Sequence, residues 1–177
     1  MDYEIKDRSI ILQKKYIKNK YFLHFLCLGI INQFTYVIDR PRILIYDEQN
    51  LLQKIYDKLN NVGLDIWFND DLDCFNKKVH FCEFDLGIIV SQKFSDIIIN
   101  FVSGSGDKIS QTKFSVIEKE LKKINIFMKN GTKSAKKLKK INKIKIKYEK
   151  NNKCTSMQMR LQYEKFFNLN KKNMEEL

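Results

Sequence analysis

The spacing of apolar residues divides the first half of the chain into strand-like and helix-like segments. Apolar residues at mixed helical spacing over residues 10–31 predict one or two helices. Pro41 then interrupts the chain, and RILIY (residues 42–46) is short and β-branched, as strands are. DEQNLLQKIYDKLNNVG places its leucines and isoleucine on one helix face, and LDIWF (residues 64–68) follows as a strand. Together these segments predict a strand–helix–strand unit.

The pattern from residue 86 onward indicates β-structure more strongly. LGIIVSQ (residues 86–92) and DIIINFV (residues 96–102) are joined by a short polar connection, which predicts an antiparallel hairpin. SGSGDKIS continues through a glycine turn into a third short strand. SVIEKELKK (residues 115–123) then favours a helix, and INIFMK (residues 124–129) favours a strand.

Lysine dominates the pattern after residue 129. KSAKKLKKI predicts a short basic helix, and INKIKIKYEK alternates strictly between apolar residues and lysine around Ile144, Ile146 and Tyr148. Such a strand has one half-buried face, and its solvent face is a row of lysines. Because helices and strands both occur throughout the chain, an α/β fold is expected.

The net charge of +12 is concentrated in the second half of the chain. Residues 1–85 carry 12 Lys and Arg against 13 Asp and Glu, whereas residues 86–177 carry 21 against 8. Residues 122–160 contain 14 basic residues and a single acid, Glu149. The chain is rich in Lys, Asn, Ile, Phe and Tyr, whose codons are A/T-rich, and poor in Pro, Trp and Ala, which indicates a codon bias. This bias would raise Lys along the whole chain, so it does not explain the segregation of charge. A dense basic segment favours nucleic-acid contact over a merely solvated face.

The sequence gives little support for membrane, metal or catalytic sites. YFLHFLCLGII (residues 21–31) is too short to span a bilayer and lacks a cleavage site, so we expect a buried or amphipathic helix. Four cysteines at irregular spacing predict free thiols. Cys74, His80 and Cys82 include no C-x-x-C pair, so neither a metal nor a cofactor is expected. NDDLD (residues 69–73) favours a solvated loop, and without a nucleophile–base grouping a non-enzymatic function is expected.

LGIIVSQKFSDIIINFVSGSGDKIS (residues 86–110) resembles the opening hairpin of the S-eleven family of small-subunit ribosomal proteins. The positions that match the family pattern are Gly87, Ile88, Phe94, Ile98, Ile99, Gly106, Ile109 and Ser110. INIFMKNGTKSAKKL supplies the family's G-x-x-[ST]-A element as Gly131, Ser134 and Ala135, and Cys154 stands in a basic tail. QTKFS replaces the family's Gly- and Lys-rich loop, and EKNNKCTSMQMRLQ replaces its Pro- and Gly-containing tail.

The resemblance implies a mixed β-sheet flanked by helices and a specific domain organisation. Residues 86–160 would form the RNA-binding domain, residues 1–85 an N-terminal extension or small α/β element, and residues 161–177 a C-terminal tail. The chain would be a structural component of the small ribosomal subunit. Its partners would be small-subunit ribosomal RNA and neighbouring ribosomal proteins, with no membrane partner. The codon bias and the lack of an Arg- and Ser-rich leader favour the ribosome of an organelle, most simply a mitochondrion.

The expected RNA contacts lie on the basic helix, the lysine-lined strand and the tail. They are Lys133, Lys136, Lys137, Lys139, Lys140, Lys143, Lys145, Lys147, Lys150, Lys153 and Arg160. These side chains would neutralise backbone phosphates and release counterions, which gives affinity with little sequence preference.

A competing interpretation belongs to a different class of protein. RILIYDEQNLLQKIYDKLNNVGLDIWF resembles the first strand, helix and second strand of a response-regulator receiver domain. Asp47 and Glu48 could stand where such domains hold magnesium, but Val90 occupies the place of the phosphoacceptor. This alternative is therefore a degenerate receiver-like interaction module without phosphorelay activity. A third interpretation, a basic membrane-surface protein, would combine residues 21–31 with the lysine segments.

The first two interpretations predict different sheets. The S-eleven resemblance pairs residues 86–90 antiparallel with residues 97–102, and it adds residues 124–128 and 144–148 to the same sheet. A receiver instead pairs residues 86–90 parallel to residues 42–46 and 64–68, and such a sheet would argue against the S-eleven fold. The neighbours of the strand that begins at Leu86 therefore distinguish them.

Overall fold

Strands and helices alternate along the described chain, which comprises residues 3–34 and 40–129 of the computed structural model. In chain order they are β1 (Tyr3–Lys6), β2 (Ser9–Gln13), α1 (Lys20–Ile31), β3 (Arg42–Asp47), α2 (Gln53–Asn61), β4 (Asp65–Phe68), α3 (Phe75–Phe81), β5 (Leu86–Lys93), β6 (Asp96–Ser103) and α4 (Gln111–Lys129). Short 3-10 helices at Lys14–Tyr16 and Asn32–Phe34 lie on either side of α1.

The strands form one mixed sheet in the order β1–β2–β6–β5–β3–β4. β3 pairs parallel to both β4 and β5, whereas the β1–β2, β2–β6 and β5–β6 pairs are antiparallel. The parallel pairs require crossover connections, and α2 and α3 supply them. The expected α/β fold, a mixed sheet flanked by helices, is confirmed.

The helices cover the two faces of the sheet unequally. α1, α2 and α4 contribute to the main hydrophobic core on one face. On the other face, α3 packs over Gly87, where an added Cβ would lie 2.8 Å from a ring carbon of Phe75 and 2.7 Å from Val79. Glycine thus permits the close approach of α3 to β5. The half-buried Tyr46 and Trp67 pack at the margin of this second cluster.

α1 and α4 pack directly against each other over the main core. α1 begins after Asn19, whose side chain accepts hydrogen bonds from the backbone N–H groups of Tyr21 and Phe22 at 2.9 and 3.2 Å. Near the end of α1, an added Cβ on Gly29 would lie 2.8 Å from the Cα of Ile117 in α4. The absence of a side chain at Gly29 therefore sets the distance between the two helices.

Several local predictions are confirmed, including the helix expected over residues 21–31, which is α1, and the helix expected over residues 115–123, which lies within α4. The strand–helix–strand unit appears as β3, α2 and β4. The predicted hairpin appears as β5 and β6, paired antiparallel from Leu86 opposite Ser103 to Lys93 opposite Asp96. Each of these elements carries a strong short-range pattern that packing did not override.

Other local predictions were wrong. Residues 10–13 are not helical, since they belong to β2 and pair with β1 and β6. The third short strand is reduced to an isolated bridge between Val102 and Lys108. Residues 124–129 were expected to form a strand but continue α4. Their helical state follows from apolar residues that recur at helical spacing and are buried, namely Phe114, Ile117, Leu121 and Ile124.

The second neighbour of β5 differs from the S-eleven expectation. β5 pairs parallel to β3, with Ile43 opposite Leu86 and Asp47 opposite Val90. This is the pairing that the receiver-like alternative predicts. The domain boundary expected between residues 85 and 86 also runs through the sheet, because β5 pairs with β3 and β6 pairs with β2. The strand expected over residues 144–148 lies outside the described residues.

Candidate functional site

All eleven predicted RNA contacts, from Lys133 to Arg160, lie outside the described residues. The described residues carry 19 Lys and Arg against 15 Asp and Glu, whereas residues 130–177 carry 14 against 4. The α/β domain is therefore close to neutral. Most of the net positive charge belongs to residues 130–177, the segment that follows α4.

Asp47 ends β3 at the edge where ligands commonly bind in parallel sheets, and its carboxylate is fully engaged by neighbouring donors. One oxygen accepts the backbone N–H of Leu51 at 3.0 Å, and the other accepts that of Leu52 at 2.9 Å. The hydroxyl of Tyr56 also donates to the carboxylate at 2.7 Å. Burial and the adjacent Asp47 raise the pKa of Tyr56 far above its ordinary value, so the hydroxyl remains a donor. Asp47 thus closes the turn between β3 and α2.

This arrangement does not assemble a receiver-type magnesium site. Glu48 is exposed, whereas Asp47 is buried and already paired. Val90, opposite Asp47 on β5, is buried and has no polar side-chain atom to offer. Within residues 3–34 and 40–129, no group of three or more His, Cys, Asp or Glu side chains is arranged to hold a metal.

The cysteine and histidine residues of CFNKKVHFC lie in different surroundings. Cys74 is exposed, whereas Cys82 is buried, and burial raises the pKa of Cys82 to about 11. His80 places Nδ1 3.4 Å from the backbone oxygen of Gly104. These three side chains form no metal-binding group in the described structure. The nearby acidic loop is tied to α3, because the ammonium of Lys78 donates to Asn69 at 2.9 Å.

The turn between β5 and β6 presents an aromatic side chain to solvent. Lys93 pairs with Asp96, so Phe94 and Ser95 alone form the loop of this hairpin. Phe94 is 88% exposed and has a positive φ of 55°, a conformation that favours glycine or asparagine. The sequence places Phe94 in the short polar connection between the two strands, but it was interpreted only as a position of the S-eleven pattern, so its exposure was not predicted.

Hydrogen bonds fix the turn on both sides. The side-chain amide of Gln92 donates to the backbone oxygen of Phe94 at 2.9 Å. Lys14 approaches from the end of β2, where its backbone N–H donates to Ser95 at 2.8 Å and its ammonium donates to Gln92 at 2.8 Å. The exposed lysines 14, 15 and 93 therefore lie on the segments that build this turn. We call Lys14, Lys15, Gln92, Lys93 and Phe94 the hairpin-tip surface.

An open groove lies at the opposite end of the β5–β6 hairpin, next to the start of β5 and the end of β6. Its polar lining includes His80, Glu83, Asp85, Ser103 and Lys113. Two of the acids already support β3, since Asp85 accepts the backbone N–H of Arg42 at 2.7 Å and Glu83 lies 3.8 Å from the Arg42 guanidinium. The groove thus contains surface residues that stabilise the start of β3 rather than a buried reactive group.

No helix in the described part of the chain has the length and apolar character needed to cross a membrane. No protein-family model matches the chain, and no curated protein matches it. Among solved structures, the fold is similar to a protein of Thermus thermophilus whose crystal structure is described as that of a phosphomannomutase. The TM-score is 0.53 at 12% sequence identity, over 68% of this chain and 30% of that chain. At this identity the similarity supports a shared α/β fold and nothing more specific, and this chain corresponds to less than a third of the other protein.

Proposed function

We propose that this protein binds RNA through residues 130–177 and that the α/β domain is the scaffold from which this basic segment extends. The observation that carries the proposal is the distribution of charge. Residues 130–177 carry 14 Lys and Arg against 4 Asp and Glu, whereas the described residues carry 19 against 15. Such a segment attracts the phosphate backbone of a nucleic acid strongly. It suits folded RNA, which proteins recognise mainly through its shape and its backbone phosphates.

The specific RNA that we propose is that of the small ribosomal subunit, in a mitochondrion or another organelle. The support is the ordered S-eleven-like set of motifs, which includes Gly131, Ser134 and Ala135, together with the codon bias. The parallel pairing of β5 with β3 counts against an S-eleven fold for the domain. The proposal therefore rests on charge and on the motifs of the basic segment. Neighbouring ribosomal proteins would be the partners of the α/β domain.

The proposal is tested in the full chain by removing charges from the segment KSAKKLKKI, which the sequence predicts to be a basic helix. Replacing Lys136, Lys137, Lys139 and Lys140 together by Gln removes four charges and keeps helix propensity nearly constant. Affinity for small-subunit RNA is expected to fall. The slope of log affinity against log salt is expected to flatten by up to about 0.7–0.9 for each phosphate contact removed.

A matched control replaces four exposed lysines of the α/β domain by Gln. They are Lys54, Lys77, Lys113 and Lys119. This control is expected to leave the slope unchanged. Equal losses from both variants would show non-specific charge attraction and would refute the proposal, as would an unchanged slope in the first variant. Co-sedimentation with small ribosomal subunits on a gradient then tests the ribosomal assignment separately, because an RNA-binding protein of another kind would stay near the top.

A second candidate function is a receiver-like protein-interaction module without phosphorelay activity. The parallel order β4–β3–β5, with α2 and α3 as crossovers, favours it. Asp47 serves the β3–α2 turn and Val90 replaces a phosphoacceptor, so such a module would bind partners without being phosphorylated. Treatment with acetyl phosphate should leave the mass of the protein unchanged, and a protein that takes up phosphate at the end of β3 or β5 would contradict this candidate.

A further inference from the structure

We propose that the hairpin-tip surface is a second RNA contact, which takes an unpaired base of single-stranded RNA on Phe94 and the flanking phosphates on Lys15 and Lys93. The inference rests on the proposed RNA-binding function and adds to it a site on the α/β domain. It concerns a different kind of RNA contact, because stacking on an aromatic ring requires a base that is not already enclosed in a duplex.

The exposure of Phe94 is the first observation. A phenylalanine ring buries a large apolar area when it packs, yet this ring is 88% exposed, the largest exposed fraction among the large hydrophobic residues of the described chain. The ring therefore contributes almost nothing to the core. Its two faces are open to a flat partner such as a nucleobase.

The backbone of Phe94 is the second observation. A positive φ of 55° is unfavourable for a residue with a bulky side chain, and a glycine or asparagine at this loop position would avoid the cost. Strain of this kind persists where the surrounding structure imposes it, and here Gln92 and Lys14 hold the turn by hydrogen bonds of 2.8–2.9 Å. The ring is thus presented on a fixed turn, so little order has to be gained on binding.

The charge around the ring is the third observation. Lys93 directly precedes Phe94, and Lys14 is hydrogen-bonded to the turn through its backbone N–H and its ammonium. Lys15 follows Lys14 in a segment, residues 14–20, that contains four lysines and no acid, and its ammonium lies 4.9 Å from the centre of the Tyr16 ring. Asp96 is half-buried at the base of the turn, where the hydroxyl of Ser95 lies 3.4 Å from its carboxylate. An aromatic ring flanked by exposed lysines is the combination that single-stranded nucleic acid requires, since the ring stacks on a base and the ammonium groups neutralise phosphates.

The test measures binding of the full chain to a labelled ten-nucleotide oligouridine and to a duplex RNA of the same length. Phe94→Ala is expected to weaken binding to the single strand by about tenfold or more, with little effect on the duplex and an unchanged salt slope. Phe94→Tyr keeps an aromatic ring and is expected to bind within about twofold of the parent. Lys15→Gln combined with Lys93→Gln is expected to flatten the single-strand salt slope by about 1.4, or 0.7 for each phosphate.

Two controls are needed. The first distinguishes base stacking on Phe94 from a loss of folding, and the second distinguishes it from binding by the lysine-rich segment that contains Lys136 to Lys140. The melting temperature of Phe94→Ala is expected to equal that of the parent, because the lost side chain is exposed. The variant with Lys136, Lys137, Lys139 and Lys140 replaced by Gln is expected to lose affinity for duplex and for single strand alike. Adding Phe94→Ala to this variant is expected to weaken single-strand binding further. If that variant loses nothing while Phe94→Ala still weakens single-strand binding, residues 130–177 are not the RNA-binding segment but the hairpin-tip site stands.

Three results would overturn the inference. The first is an affinity of Phe94→Ala for oligouridine equal to that of the parent. The second is an equal loss on duplex and single strand, which would mean that the ring does not contact a base. The third is that Phe94→Ala binds anionic phospholipid vesicles more weakly than the parent does but binds RNA equally well. That result would assign the exposed ring to a membrane surface.

Discussion

The Tyr56→Phe substitution isolates the contribution of one buried hydrogen bond to the stability of the domain. Tyr56 is 2% exposed, and its hydroxyl donates to the buried carboxylate of Asp47 at 2.7 Å. The substitution removes the hydroxyl and keeps the ring, which also makes an edge contact with Phe68 at 5.4 Å between centroids. Hydrogen bonds to charged groups contribute about 1.5–3 kcal/mol, so the free energy of unfolding should fall by about that amount.

The double-mutant cycle with Asp47→Asn provides the control. Asparagine keeps the size of the side chain but has one acceptor oxygen, whereas Asp47 receives three donors from Leu51, Leu52 and Tyr56. Each single variant should be destabilised, and the coupling between the two positions should lie within about 0.5–3 kcal/mol. Urea denaturation followed by circular dichroism measures all four proteins, and the m value should remain constant because the same surface is exposed on unfolding.

Magnesium provides a second readout of the same residue. If Asp47 is a structural acceptor, adding the ion should not shift the urea midpoint, because a carboxylate that is already hydrogen-bonded offers no free ligand. A magnesium-dependent rise that is lost in Asp47→Asn would show ion binding to the folded state. That result, or a Tyr56→Phe protein within about 0.5 kcal/mol of the parent, would refute the reasoning given for the β3–α2 turn.

Three further predictions concern buried positions. Gly29→Ala should lower the free energy of unfolding by about 1–3 kcal/mol, because the added methyl group meets the backbone of Ile117. Urea titrations measure this change, and an unchanged free energy of unfolding would contradict the packing described for α1 and α4. In iodoacetamide labelling at pH 8 followed by peptide mass spectrometry, exposed Cys74 should react first among the cysteines of residues 3–34 and 40–129. Burial raises the pKa of Cys27 to about 12 and should keep it unmodified. Burial lowers the pKa of His24, so the unfolded chain binds the proton more readily. The contribution of neutral His24 to the free energy of unfolding should be complete above a pH of about 6.5, the ordinary pKa of histidine, and should be lost as the pH drops toward the lower pKa of the folded state. A His24→Gln protein whose stability falls equally steeply over this range would argue against this origin.

Elements with strong local patterns were predictable, whereas pairing and burial were not. RILIY and LDIWF were identified as strands because they are short, rich in apolar residues and bounded by turn residues. β1 and β2 were missed because their turn uses Asp7 and Arg8 at positive φ, without the glycine or asparagine that marks such a hairpin. Ile124 was assigned to a strand from its immediate neighbours, although the helical spacing that includes Leu121 continues through it.

The candidate sites show the same division between local and long-range information. The charge count correctly identified where the positive charge lies along the chain, but the structure of residues 130–177 lies outside the described residues. Asp47 was placed just after a strand, at the start of the helical segment, yet its role as an acceptor depends on Tyr56, nine residues later, turning its hydroxyl inward. Phe94 lies in the short connection that the sequence predicts between the two strands, but its 88% exposure could not be predicted, because a large apolar side chain in a turn can also fold back onto a neighbouring strand.

The pairing of β2 with β6 has a consequence for the time at which this domain can fold during synthesis. Ser9 lies opposite Asn100 and Gln13 opposite Asp96, so the sheet joins segments that are more than 80 residues apart in sequence. The hairpin of β1 and β2 leaves the translating ribosome early and has no partner until β6 has emerged. A two-stranded hairpin alone is marginally stable in water, so stable structure at the N-terminus must wait for the chain beyond residue 103. Nascent chains arrested shortly before β6 has emerged should therefore be cut by protease in β1 and β2, and those arrested after α4 has emerged should be protected there.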